Sequence, residues 1–181
     1  MNLDGLGPWG GLASDAVEEA EVVVAGIPYD GSAVYRKGAA VAPQRMRSLS
    51  PAMPPVTEDG LVLAGLRVHD IGDLDAGPDI ERGWAAVAER LAAIPASSFL
   101  TVLGGDHCTA IATLAAQARR HPGLAVLWVD AHPDLCDFSR GGGWTCGCAL
   151  RRALDVSGIE PSHVVIAGGR DYDLEELEFI C

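Results

Sequence analysis

Apolar and polar positions sort the chain into two kinds of segment. Short continuous apolar runs at 22–27, 99–103, 125–130 and 164–167 read as buried strands. Between them the apolar residues fall at helical spacing. Trp84, Val87, Leu91 and Ile94 predict a helix over 80–94 that Pro95 stops. An alanine-rich helix is expected over 110–120, ended by Pro122-Gly123, with further helices over 149–156 and from Leu174 onward. Pro43 suits the first turn of a short helix over 43–49. One or two short strands are expected over 61–70, closed by a turn at Asp70-Ile71-Gly72-Asp73. The remainder reads as connection: a Gly-rich lead-in to residue 20 ending in an acidic helical turn, a Pro-rich segment at 51–55 and a Gly-rich loop at 140–143. Strands alternating with helices make βα units on a parallel sheet, and such sheets bind ligands at the carboxyl ends of their strands.

No repeat or interdomain linker interrupts this pattern, so the 181 residues are expected to form a single domain, 1–181. The formal charge of −12 argues against nucleic acid and anionic membrane surfaces as partners, and favours a metal or a small cationic molecule. No apolar run approaches the roughly 20 residues that span a bilayer, and the first residues lack a basic start and an apolar signal core. A cytoplasmic location is the resulting expectation. Five scattered cysteines suit reduced thiols better than a disulfide framework.

Two strand ends carry ligand-type residues. The run Val126-Leu127-Trp128-Val129 leads straight into Asp130-Ala131-His132-Pro133-Asp134. If the segment stays extended, Asp130, His132 and Asp134 share one face, because side chains repeat every second residue. The strand at 99–103 runs into Gly104-Gly105-Asp106-His107. The glycines permit a tight turn that presents His107, with Asp106 as an orienting group nearby. His107, Asp130, His132 and Asp134 together offer two imidazoles and two carboxylates. Carboxylates bridge ions, and two ions about 3.5–4 Å apart activate a water near neutral pH. The ligand types suit manganese; iron, nickel, zinc and cobalt share them.

These motifs resemble the ureohydrolase superfamily, which includes arginase and agmatinase. Gly104-Gly105-Asp106-His107 is similar to its first metal motif and Asp130-Ala131-His132-Pro133-Asp134 to its second. Gly26-Ile27-Pro28-Tyr29-Asp30-Gly31, Tyr35-Arg36-Lys37-Gly38-Ala39 and Pro43 resemble the amino-terminal segment of the agmatinase side, and His69-Asp70-Ile71-Gly72-Asp73 resembles a further turn. The resemblance implies a three-layer α/β/α fold with a mainly parallel sheet, a dinuclear Mn2+ centre and homo-oligomers. It also implies hydrolysis of a small cationic guanidino substrate by metal-bound hydroxide, with release of urea. His107 and His132 would each bind one metal, and Asp130 and Asp134 would be shared or adjacent ligands.

Two departures sharpen the expectation. The family's third metal motif, S-x-D-x-D-x-x-D-P, has no counterpart here; Asp171-Tyr172-Asp173 is a superficial echo. The chain is therefore expected to be the amino-terminal portion of the fold, truncated at its C-terminus. In the family, late strands insert between the strands carrying the first two motifs. Without them the sheet lacks its middle, or strands 99–103 and 125–130 pair directly. Second, Cys146 stands where the family usually has a histidine that assists proton transfer or substrate positioning. Two alternatives stay open: a catalytically inactive or partial chain that serves as an interaction subunit or needs a complementing chain, and a zinc module built on Cys136, Cys146 and Cys148.

Overall fold

The computed structural model describes residues 5–33, 35–77, 79–138 and 142–181. The start of the Gly-rich lead-in and residues 140–141 of the Gly-rich loop lie outside the described residues. Five strands are present among the described residues: β1 (Val22–Ile27), β2 (Val68–Asp73), β3 (Phe99–Gly104), β4 (Val126–Val129) and β5 (Val164–Ala167). The helices are α1 (Ala42–Leu49), α2 (Ile80–Ala92), α3 (Thr109–Arg120), α4 (Ala149–Ser157) and α5 (Leu174–Ile180). All strand pairs are parallel, in the orders β2-β1-β3 and β4-β5. β3 and β4 do not pair, so the sheet lacks its middle, the first of the two outcomes expected above. No helix among the described residues is long and apolar enough to cross a membrane.

The strand expected within 61–70 is displaced. β2 begins at Val68 and runs through Asp70-Ile71-Gly72-Asp73, where the sequence suggested a turn. The local bend is real: Gly72 has φ +78 and its N–H donates to Asp70 Oδ1 at 2.9 Å. It makes a bulge in the ladder rather than an end, because pairing resumes at Gly26–Asp73. Before it, Val62 makes only an isolated bridge with Val56.

Period-two burial decides the layers. Val23, Ala25, Ile27 and Leu100 pack against Trp84, Val87 and Leu91 of α2 and Ile111 and Ala115 of α3. The opposite face, Val22, Val24, Val68 and Leu103, meets α1 and the connector through Met46, Leu49 and Met53, leaving an apolar groove of about 580 Å³. Trp84 is fixed edge-on against Tyr29, with ring centroids 5.0 Å apart. A second core lies under β4 and β5, where Val126, Trp128, Val164 and Ile166 pack on Leu150 and Leu154 of α4 and on Leu114 of α3. The far side of those strands is bare: Leu127, Val129 and Val165 are 66%, 73% and 62% exposed. α3 and α4 pack on each other and join the two halves.

Candidate metal centre

The carboxyl end of β3 is bound tightly to that of β1. Gly105 N–H donates to Ile27 O at 3.0 Å and Asp106 N–H to Tyr29 O at 2.7 Å. A side chain at Gly105 would strike the Tyr29 carbonyl, so glycine is required here by close approach of backbones. Asp106 does not reach the His107 imidazole in any hydrogen bond described. It accepts from Ser32 N–H and Oγ–H at 3.0 and 2.7 Å and from Cys108 N–H at 3.0 Å. It therefore fixes the turn and the loop after β1, and orients His107 only through the backbone.

His107 points toward the end of β4. Its Nδ1 is 3.4 Å from Asp130 Oδ2 and 2.9 Å from Asp134 Oδ2, and its ring stacks on Trp128, 4.6 Å between centroids at 18°. Period two could have found Trp128, since Val126, Trp128 and Asp130 alternate onto one side. Asp130 faces both imidazoles: Oδ2 toward His107 and Oδ1 toward His132 Nδ1, also at 3.4 Å. Asp130 Oδ1 additionally accepts from His132 N–H at 3.0 Å.

The segment after β4 is not extended, which corrects the expectation of a single strand face. β4 ends at Val129, and Asp134 adopts a left-handed conformation, φ +54, rare for a residue other than glycine. Buried Pro133 precedes it, Asp134 O accepts from Arg151 N–H at 3.0 Å, and Leu135 N–H donates to Glu176 Oε1 at 2.9 Å. These contacts hold the turn and aim Asp134 inward. His107, Asp130 and Asp134 come together with ligand atoms within 4.8 Å of one another. His132 stands apart, its side chain 56% exposed, with Nε2 3.5 Å from Asp171 Oδ2. Asp171, read from the sequence as an echo without a role, thus reaches the site. Asp173 instead caps α5 in a capping box with Glu176.

The donor set fits a cation. Asp134 Oδ2 is buried and has no aligned hydrogen bond, although His107 Nδ1 is close. Asp134 Oδ2 and Asp130 Oδ2 both approach His107 Nδ1, at 2.9 and 3.4 Å, and three donor atoms converging in this way can serve as ligands to an ion. Burial pushes the Asp134 carboxyl above its ordinary value, and the Asp134 carboxylate in turn raises His107. At Asp130 burial acts upward too, but the His132 backbone N–H and the two imidazoles outweigh it and keep the group ionised.

Cys146 lies beside this cluster in a single 3-10 turn, Cys146–Cys148, ahead of α4. Its Sγ is 3.1 Å from Ser32 Oγ. The Cys108 thiol, Ser32 and the His107 N–H together bring it down to about 6 against the opposing effect of burial. The proposed zinc trio is not assembled: Cys136 groups with Asp173 and Glu176, Cys146 with Asp106 and Cys108, and Cys148 is buried in the α4 core. Parity of spacing gave no guide here, because the thiols of neighbouring segments take different partners, Cys136 with Asp173, Cys146 with Ser32 and Cys148 with Thr145.

Comparison with known proteins agrees with this architecture. The arginase-family model matches residues 20–181. Proclavaminate amidinohydrolase of Streptomyces clavuligerus is 33% identical over 157 residues, covering 84% of this chain and 50% of that protein. The crystal structure of agmatine ureohydrolase of Thermoplasma volcanium superimposes with TM-score 0.76 at 28% identity, over 91% of this chain and 55% of that one. Formiminoglutamase of Trypanosoma cruzi, in a structure with manganese, shares the fold at TM-score 0.81 and 22% identity, over 92% and 59% of the two chains. The chain spans about half the length of the curated relatives it matches. With the motifs, the parallel sheet halves and the family match in agreement, this chain belongs to the arginase family.

Proposed function

We propose that this chain carries the His107–Asp130–His132–Asp134 part of a two-ion hydrolase centre that cleaves a C–N bond of a small cationic guanidino compound and releases urea. The observation that carries the reading is Asp130 standing between two imidazoles, 3.4 Å from each, beside the buried Asp134 Oδ2. His107, Asp130 and Asp134 would hold one ion; Asp130 and His132, with Asp171 near, would hold the second. Manganese suits the mixed shell, and the manganese-containing relative supports that choice. When bound, the ions supply an activated water and offset charge that develops on the substrate.

The chain's own residues set the stage for that chemistry. Trp128 keeps the His107 ring in one orientation, and Asp106 with Ser32 keeps the turn that carries it. Cys146, in the position the resemblance gives to a histidine, would carry a proton to or from the reacting groups. The chain's net charge of −12 favours approach of a guanidinium cation. Calorimetric titration with Mn2+, together with urea assays on agmatine, arginine and guanidinobutyrate, tests the reading. Two ions bound with urea release support it; a chain that binds no Mn2+ refutes it.

The unpaired β3 and β4 edges favour a second reading, in which the chain holds an ion but turns substrate over only with a complementing polypeptide. Mn2+ binding without urea release is its signature. We also infer a homo-oligomer and a cytoplasmic address, checked by light scattering and by fractionation.

A further inference from the structure

We propose that Cys108 and Cys146 form a reversible disulfide beside the candidate metal centre, an oxidation that can be followed without any hydrolase assay. Cys108 is the N-cap residue of α3 and fully buried; Cys146 is half-buried in the 3-10 turn before α4. Their sulfurs lie within 4.8 Å of each other, and both bond the same hydroxyl: Cys108 Sγ to Ser32 Oγ at 3.2 Å and Cys146 Sγ at 3.1 Å. Ser32 in turn donates to Asp106 Oδ2 at 2.7 Å. Asp106, Cys108 and Cys146 thus surround the Ser32 hydroxyl. That oxygen occupies the centre an ion would need, which favours bond formation between the sulfurs over a cation site.

The geometry assigns different parts to the two thiols. Cys146 is open to a small oxidant, and Cys108 is shielded and fixed by the core. With hydrogen peroxide, the Cys146 sulfur attacks one oxygen, an S–O bond forms, the O–O bond breaks and one water leaves. The Cys108 sulfur then attacks Cys146, the S–S bond forms, the S–O bond breaks and a second water leaves, taking the Cys108 proton. Two thiols lose two electrons and one peroxide becomes two waters. The bond joins the turn after β3 to the segment after β4, two halves whose sheets share no backbone hydrogen bond.

The test uses the full reduced chain, treated with hydrogen peroxide, denatured and alkylated. Alkylated cysteines should fall from five to three, and reduction should restore five. After trypsin, the new cross-link should join residues 91–119 to 141–151, with fragment ions placing it on Cys146 rather than Cys148. Peroxide added to the unfolded chain should not select this pair. Cys146→Ser should remove the cross-link; as the wild-type peptide map is decisive by itself, poor folding of that variant leaves the test intact. Five alkylated cysteines after oxidation, a Cys146–Cys148 link, or oxygen retained on Cys146 without a partner would each overturn the proposal. So would zinc binding that keeps Cys108 and Cys146 reduced under peroxide, which would assign the cluster to an ion. Each result is read from thiols and masses, so failure of the hydrolase reading leaves it untouched.

Discussion

Replacing Gly105 by alanine separates the two glycines that precede His107. An added Cβ at Gly105 would lie 1.9 Å from Tyr29 O and 2.7 and 2.8 Å from Tyr29 C and N. All three are backbone atoms, so relief requires the ends of β1 and β3 to part by about 1 Å, given the usual close-contact limit for carbon. That movement breaks the bonds from Gly105 N to Ile27 O and from Asp106 N to Tyr29 O, 3.0 and 2.7 Å long. Two such bonds are worth about 2 kcal/mol together, and overpacking adds about 1–3 kcal/mol. The expected loss of about 3–5 kcal/mol is a large share of a typical domain's stability of about 5–15 kcal/mol. At Gly104 the added Cβ would meet only the Thr109 side chain, Oγ1 at 2.7 Å. Turning Thr109 away forfeits its bond to Asp106 O, 3.1 Å, about 1 kcal/mol, which a stiffer unfolded chain offsets by about 0.4–1 kcal/mol. Urea unfolding should then move the G105A midpoint down by about 2 M, for a slope of about 2 kcal/mol/M, and leave G104A within about 0.5 M of wild type. The Mn2+ titration should weaken in G105A alone, because Asp106 and His107 move with the turn. Equal midpoints for the two variants, or a larger loss in G104A, would refute the close-contact argument.

Four further outcomes follow from other contacts. Asp134→Asn should weaken Mn2+ binding by about tenfold or more and His132→Ala by less, since His132 lies outside the inner trio; the ranking is read by calorimetry, and the reverse order contradicts the assignment. The same Asp134→Asn should stabilise the metal-free chain at pH above the raised Asp134 value, as read by urea unfolding: a carboxyl whose folded pKa is raised opposes folding once ionised, and the amide removes that charge. Arg120→Met should cost about 2–4 kcal/mol in urea unfolding, because the buried guanidinium donates to Ile94 O, Pro95 O and Ser98 O at 3.3, 2.7 and 2.7 Å; a neutral substitution would count against that role. At Asp70 burial acts upward, yet bonds from Arg47, Gly72 N–H and Trp9 Nε1 hold the carboxyl below its ordinary value. Its contribution is thus complete above about pH 4 and fades as pH falls through the lowered value. Arg47→Ala should flatten the acid limb of a stability-versus-pH series, and an unchanged limb would contradict the pairing.

The readable parts of this chain share one property: the information lies within a few consecutive residues. Apolar runs gave the positions of β1, β3, β4 and β5, helical spacing gave α2 and alanine content gave α3, because burial on a sheet or against one helix face and helix propensity all act locally. The β2 error has the opposite origin. Asp70-Ile71-Gly72-Asp73 contains real turn chemistry, but pairing with β1 overrides it, and that partner lies far off in the sequence. Arg120 was unremarkable for the same reason: its three backbone acceptors are carbonyls near the end of α2 and before β3.

The proposed metal ligands divide along the same line, and the division bears on what the site can do. His107, Asp130, His132 and Asp134 were legible as types at strand ends, yet their inequality was not. It comes from the left-handed backbone at Asp134, which Arg151 and Glu176 secure from outside the motif. A fully extended Asp130–Asp134 segment would present three equivalent ligands on one face. The turn instead buries Asp134, places Asp130 between two imidazoles and leaves His132 open beside Asp171. On the proposed assignment, one half of the centre is enclosed by this chain alone. The other half, at His132 and Asp171, is open to solvent. An ion at His132 has fewer donors fixed around it than one at His107, so the enclosed position should fill first as Mn2+ is raised. A titration with two identical sites would show that the turn at Asp134 does not set this order.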